Sequence, residues 1–260
     1  MVPGRPVEVI EGRQPVREAL RAGRPLHRIL IADGAESRGT LTEILSLARS
    51  AGVRVDRVPR AALDARATTK AHQGVIAEAA AAASRSWREG LQRAREAGEP
   101  PLFLALDGIE DPHNAGALVR SAEVFGAHAV LIPKRRAAPL SPAMAKAAAG
   151  ALEHVIVDQV TNLDRTLSSC REEGMWVVAL AGDGDVRLDE CRLLDEPVVI
   201  VVGKEGAGVS SLVRKRADAV CAIPIVGRIG SLNASVAGAI ALWETARRRR
   251  VLRGSDSPQK

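Results

Sequence analysis

The chain has 260 residues, 46% of them hydrophobic, and 37 Lys and Arg against 31 Asp and Glu give it a net charge of +6. That length and apolar content allow two domains, each with a core of its own. Aromatic residues make up only 2% and Tyr is absent, so a binding surface built on base stacking is not expected. A polyanionic partner, which the positive charge favours, would be held by backbone charge and shape.

The longest apolar runs, such as Val198–Val202, suit buried strands and fall far short of a membrane span. The start, Met1-Val2-Pro3-Gly4-Arg5-Pro6, lacks the apolar stretch of a signal peptide. A cytoplasmic protein without membrane contact is therefore expected. Cys170, Cys191 and Cys221 are scattered and none has a CxxC neighbour, which reads as three small buried hydrophobes and not as a disulfide framework or zinc site.

In chain order, Pro15 to Ala22 reads as a helix closed by Gly23, and Arg28 to Ala32 as a strand. A helix over 40–50 ends at Gly52, a strand runs from Val53 to Val58, and His72-Gln73-Gly74-Val75-Ile76-Ala77 forms a last turn and strand. Residues 1–80 thus make a small α/β module. The Ala run at 79–83 with Ser84-Arg85 reads as a linker, and Ser86-Trp87-Arg88-Glu89 has the form of a capping box. The helix it opens should stop at Gly98, so 81–100 is a linker and connecting helix.

From 101 to 252 strands and helices alternate, with strands predicted at 102–106, 128–132, 154–157, 176–180, 198–202 and 219–223, nearly all Val, Ile, Leu and Ala. Such runs fit a parallel sheet covered on both faces. Ser141-Pro142 opens one intervening helix with an N-cap and a Pro at the first position. The last helix, from about 234, carries Val236, Ile240 and Trp243 on one stripe, which is expected to pack on the core. Residues 253–260 read as a disordered tail.

Three polar, glycine-bearing segments each follow a predicted strand, where open α/β sheets bind ligands. The first runs from Asp107 to Arg120, and its helix should bury Leu118, Ala122 and Phe125 with Arg120 nearly opposite. From periodicity alone Arg120 is a solvated surface residue. The second, Gly203-Lys204-Glu205-Gly206-Ala207-Gly208, permits positive φ and close approach of backbone to a ligand. Its Lys comes too early for a P-loop, and its spacing fails the dinucleotide fingerprint. The third runs from Ile223-Pro224 through a glycine-bearing loop to Ser231-Leu232-Asn233, either end of which reads as the N-cap of the last helix.

Together these segments resemble the three motifs of SpoU-type (TrmH-like) RNA 2′-O-ribose methyltransferases, in order and spacing. The matches are Asp111-Pro112-x-Asn114-x-Gly116…Arg120-Ser121-Ala122, then Gly203-x-Glu205-Gly206-x-Gly208, then Ile223-Pro224 with Ser231-Leu232-Asn233. The N-terminal part, with Gly12 and His72-Gln73-Gly74-Val75, resembles more loosely the family's L30e-like substrate-binding domain. The resemblance implies an α/β catalytic domain with a deep trefoil knot, a homodimer, and S-adenosylmethionine as methyl donor without a metal. It implies donor contacts at Gly203, Gly208, Ile223 and Leu232, and a catalytic set of Arg120, Asn114, Glu205, Ser231 and Asn233. The implied reaction is transfer to a ribose 2′-hydroxyl of RNA, and the N-terminal match points to a guanosine of 23S rRNA. A tRNA substrate and a SpoU-fold RNA binder without catalysis are the alternatives; the presence of Arg120, Asn114, Glu205 and Asn233 counts against the latter. Lys204 stands where many relatives carry Asn or another small residue, and no role follows for it.

Overall fold

The computed structural model describes residues 7–35, 38–67, 72–80 and 85–252. Of the linker read at 79–85, Ala79 and Ala80 end a strand, and 81–84 lie outside the described residues, as do the tail at 253–260 and the N-terminal Met1 to Pro6. In chain order the elements are β1 (Val7–Glu11), α1 (Arg13–Arg21), β2 (Leu26–Ala32), α2 (Thr40–Ser50), β3 (Val55–Val58), α3 (Arg60–Asp64) and β4 (Val75–Ala80). They continue with α4 (Trp87–Glu96), β5 (Leu102–Asp107), α5 (Pro112–Val124), β6 (Ala129–Pro133), α6 (Pro142–Ala148) and β7 (Ile156–Val160). The last are α7 (Leu163–Glu172), β8 (Trp176–Leu180), β9 (Val186–Arg187), β10 (Val198–Gly203), α8 (Ser211–Arg216), β11 (Ala219–Ala222) and α9 (Ala234–Leu252).

The chain divides into two compact units, one of residues 1–84 with 140–154, the other of 85–139 with 155–260. In the first, a four-stranded sheet has the order β1-β4-β2-β3, antiparallel except for the β2–β3 pair. Period-two alternation sends Ile29 and Ile31 to one face, where they meet Val16, Ala19, Leu41 and Ile44 of α1 and α2. Leu30 and Ile76 go to the other face and meet Leu63 of α3. His72 is fully buried with both ring nitrogens used: Gly74 N–H donates to Nδ1 at 3.1 Å, so Nε2–H donates to Asp64, 2.9 Å away.

The second unit is built on seven parallel strands in the order β7-β6-β5-β10-β8-β11-β9. β5 and β10 are buried almost end to end, as strands covered on both faces must be. Their register places Gly203 opposite Asp107, so the first two polar loops leave the sheet side by side. α4 belongs to this unit: Trp87 meets Phe103 edge to face at 6.1 Å, and Trp87 N–H donates to Asp158 at 2.9 Å. Ser86 caps α4, accepting from Arg88 N–H at 3.3 Å, but the Glu89 side chain does not return a bond to Ser86 N–H, so the cap is a single bond and not the expected box.

Two predicted features differ. The strand expected at 154–157 begins at Ile156, because left-handed Ala149 and Gly150 lead into a tight turn over Ala151–Glu153 first. The stripe of Val236, Ile240 and Trp243 does not pack on the core: Val236 and Trp243 are 46% and 49% exposed. α9 instead buries Ala234, Gly238, Ala241, Leu242 and Thr245. The reason is close approach, since a Cβ on Gly238 would lie 2.3 Å from Leu118 Cδ2 of α5. Small residues at Gly238 and Ala241 let α9 lie close to α5 and β10, with Leu242 buried beside them, while Val236 and Trp243 turn outward.

Candidate active site

Local sequence places each loop. Asp111 caps α5, accepting from His113 N–H at 3.1 Å and Asn114 N–H at 3.3 Å, with Pro112 at the first helical position. That cap sets Asn114 in the first turn, aimed at the loop after β10. There Lys204 and Gly208 exchange backbone hydrogen bonds of 3.0 and 2.8 Å. The fold-back is so tight that a Cβ on Gly203 would sit 2.0 Å from the Gly208 carbonyl carbon. Gly206 and Gly208 take φ of 76° and 68°, which their lack of a Cβ permits.

Three side chains from three separate segments converge. Asn114 Nδ2–H donates to Glu205 Oε1 at 2.9 Å, and Asn233 Nδ2–H donates to the same oxygen and to Asn114 Oδ1 at 3.0 Å. Asn233 Oδ1 meanwhile accepts from Ser235 N–H at 2.9 Å and Val236 N–H at 3.3 Å, capping α9. Those backbone donors can only face an oxygen, so the orientation of the Asn233 amide is determined, and with it that of Asn114. Glu205 Oε2 makes no hydrogen bond among the described residues.

Beside this cluster is a cavity of about 180 Å³ walled by the ends of β8, β10 and β11 and the approach to α9. Gly203, Glu205, Gly208, Ile223, Ser231 and Leu232 all line it. Leu180, Val202 and Leu232 supply apolar wall next to glycine backbone, a surface suited to a flat ring with polar edges. Six of the nine residues singled out from the sequence therefore line one cavity, and Asn114 and Asn233 are bonded to its Glu205.

Arg120 is the one the structure does not bring into the cluster. It is exposed on α5, roughly 120° around the helix from Asn114, and its side chain makes no hydrogen bond or ion pair among the described residues. Leu118 and Ala122 are buried as expected, whereas Phe125 caps the helix and is only half-buried. Lys204 pairs with Glu110 at 3.1 Å, an exposed pair worth at most about 1 kcal/mol.

The sequence reading missed the loop after β8. Leu180, Ala181 and Gly182 line the cavity, and a Cβ on Gly184 would strike the Val220 carbonyl at 2.6 Å. Arg214 donates to Asp183 in this loop at 2.7 Å and holds that carboxyl below the usual carboxylate range. The signal was a Gly-Asp-Gly run directly after a strand. Cys221 also lines the cavity, and all three cysteines are free and buried, as read. Among the described residues no cluster of His, Cys, Asp and Glu is placed to hold a metal, and no helix is long and apolar enough to cross a membrane.

A parallel sheet carrying three such loops around one cavity is the architecture of an RNA methyltransferase family. Residues 101–243 match the SpoU rRNA Methylase family, and residues 9–84 match the RNA 2′-O ribose methyltransferase substrate-binding domain. The chain belongs to the SpoU rRNA methylase family. YacO of Bacillus subtilis, whose name assigns it to the TrmH family of tRNA/rRNA methyltransferases, is 39% identical over 244 residues, 93% of this chain and 96% of the relative. The crystal structure of an RNA 2′-O ribose methyltransferase is 26% identical with a TM-score of 0.77, covering 95% of this chain and 90% of its own. The SpoU methyltransferase AviRb from Streptomyces viridochromogenes, solved in complex with the cofactor AdoMet, shares the fold with a TM-score of 0.78 at 22% identity. That match covers 94% of this chain and 91% of AviRb.

Proposed function

We propose that this chain transfers a methyl group from S-adenosylmethionine to a ribose 2′-hydroxyl of RNA, with a guanosine of 23S rRNA as the target. The observation that carries the reading is the hydrogen-bonded cluster of Asn114, Glu205 and Asn233 at the edge of a glycine-walled cavity. The lining suits the donor: Gly203 and Gly208 present backbone to the cavity, and Ile223 and Leu232 offer apolar wall. S-adenosylmethionine, when bound, supplies an electrophilic methyl group on a sulfonium.

The chain's own residues do the rest. A ribose 2′-hydroxyl is a poor nucleophile and must lose its proton as it attacks. Asn114, Glu205 and Asn233 brace one another, so the wall that positions the hydroxyl is rigid, and Ser231 adds a hydroxyl at the cavity lip. The Arg120 side chain has no hydrogen-bond or ion-pair partner among the described residues, and the role assigned to its guanidinium is to stabilise the developing alkoxide.

In this reading residues 1–80 hold the RNA, 101–252 form the catalytic domain with the family's trefoil knot, and the working species is a homodimer. Its support is the outward face of α5 and α9, where Val124, Val236 and Trp243 stand exposed around a shallow groove. The test is methylation of unmodified transcripts of 23S rRNA and of tRNA, with the product mapped by resistance of the linkage to alkali. Alkali-resistant methylation of 23S rRNA supports the proposal, methylation of tRNA alone moves the substrate, and base methylation overturns it.

A further inference from the structure

The arginines of the first unit are largely engaged. Arg17 and Arg21 pair with Glu18 and Glu43, Arg24 with Glu153 at 2.7 Å, and Arg28 with both oxygens of Glu78 at 2.7 and 2.8 Å. Lys134, Arg135 and Arg136 differ. They follow β6 at the end of the sheet that carries the cavity, and all three are exposed. None makes a side-chain hydrogen bond or ion pair among the described residues.

The backbone beneath these cations is held at both ends. Lys134 N–H donates to Val160 O at 2.9 Å and Ala138 N–H to Ile109 O at 2.7 Å. Between them Arg136 occupies the left-handed region at φ 54°, a conformation that side-chain-bearing residues adopt only when their surroundings impose it. The loop is therefore a built platform with three uncommitted charges.

Its position relates it to the cavity. The Ala138–Ile109 bond joins it to the loop after β5, and Glu110 of that loop pairs with Lys204 of the loop after β10. β6, β5 and β10 are consecutive in the sheet, so the basic loop lies two strand spacings, about 10 Å, from the cavity wall at Gly203. We propose that Lys134, Arg135 and Arg136 are positioning residues that grip the phosphates flanking the nucleotide presented at the cavity. The inference rests on the RNA-methylating reading above and names where the catalytic unit holds that RNA. Guanidinium forks match phosphate oxygens, and a chain with 2% aromatic residues has little else with which to hold a flexible strand.

The experiment compares the parent with Lys134→Gln/Arg135→Gln/Arg136→Gln and with Arg93→Gln/Arg192→Gln/Lys215→Gln. The second variant removes the same charge from exposed cations that precede β5, β10 and β11, at the opposite end of the sheet. Unmodified transcripts of 23S rRNA and tRNA serve as probes. The loop variant should raise KM for RNA by about ten-fold or more and flatten the salt dependence of binding by about two log units per log unit, as loss of three phosphate contacts requires. Its kcat and its donor affinity by calorimetry should stay within about two-fold of the parent. Lys at 135 and 136 should restore most of the affinity, because the charge returns without the fork. A loop variant whose KM and salt slope match those of the control variant overturns the inference while leaving the reaction intact, as does one that loses donor affinity. A parent that methylates neither transcript removes the reading on which the inference stands.

Discussion

Replacing Gly203 by Ala tests whether the tight turn after β10 is built for a missing Cβ. Gly203 is not in the left-handed region, so by conformational entropy alone Ala should stabilise by about 0.4–1 kcal/mol. The structure reverses that sign. The added carbon would lie 2.0 Å from Gly208 C, 2.1 Å from Val209 N and 2.2 Å from Gly208 O, all backbone atoms. They cannot retreat without losing the two Lys204–Gly208 hydrogen bonds and the 2.7 Å bond from Ser210 N–H to Asp107. Overpacking costs about 1–3 kcal/mol, and each lost hydrogen bond about 0.5–1.5 kcal/mol. A net loss of about 2–7 kcal/mol follows, which lowers Tm by roughly 5–25 °C. Donor affinity by calorimetry should fall at least about ten-fold, since the same turn walls the cavity. Gly206→Ala is the comparison: nothing lies within 4 Å of its Cβ, so only its φ of 76° opposes Ala, at about 1–2 kcal/mol. A Gly203→Ala protein as stable as the parent, with unchanged donor affinity, would refute the argument.

Arg120→Ala should fold and bind donor as the parent does, yet lose single-turnover methylation by about 100-fold or more; turnover within a few-fold of parent removes Arg120 from the site. Asn233→Ala should cost about 1 kcal/mol through the cap of α9, and in a cycle with Glu205→Gln the losses of methylation should be non-additive, whereas additive losses would mean the two act separately. Burial holds His128 below the usual imidazole range, against the pull of Glu99. The unfolded chain therefore takes up this proton first, so stability is intact above about pH 6.5 and falls as pH drops below it. Denaturation of His128→Gln across that range should show a smaller pH dependence than the parent, and an equal dependence would assign the effect elsewhere. If the proposed homodimer is covered at α9, Trp243→Glu should shift sedimentation from dimer to monomer, and a parent that sediments as monomer or an unchanged profile would discard that face.

The strands of the second unit were legible because burial on both faces leaves unbroken Val, Ile and Leu runs, and β5, β8 and β10 lie within a residue of expectation. β1 was not, since it pairs with β4 at the far end of its unit and nothing local marks it. The direction of α9 escaped for a different reason. Hydrophobic periodicity assumes that the largest apolar side chains face inward, and at Gly238 the partner helix approaches too closely for one. In the site, Asn114, Glu205 and Asn233 were visible as residue types in a familiar order, but their sharing of one carboxylate oxygen is a tertiary fact. Beyond the local Glu18, the engagement of Arg17, Arg21, Arg24 and Arg28 was likewise invisible, because Glu43, Glu78 and Glu153 come from other elements. That pairing leaves the loop after β6 as a concentrated source of uncompensated charge, a feature that net charge alone conceals.

Asn233 performs two duties with opposite ends of one amide, since its oxygen begins α9 and its nitrogen braces Glu205. The first turn of the longest helix and the readiness of the site are thus a single equilibrium. Any opening of that turn releases the amide, and anything that presses on Glu205 is felt along α9. Because the outward side of the same helix bears Val236 and Trp243, a partner seated there would steady the first turn without touching the cavity. Amide exchange at Ser235 and Val236 would then report on both events at once, slowing with donor and slowing again with association.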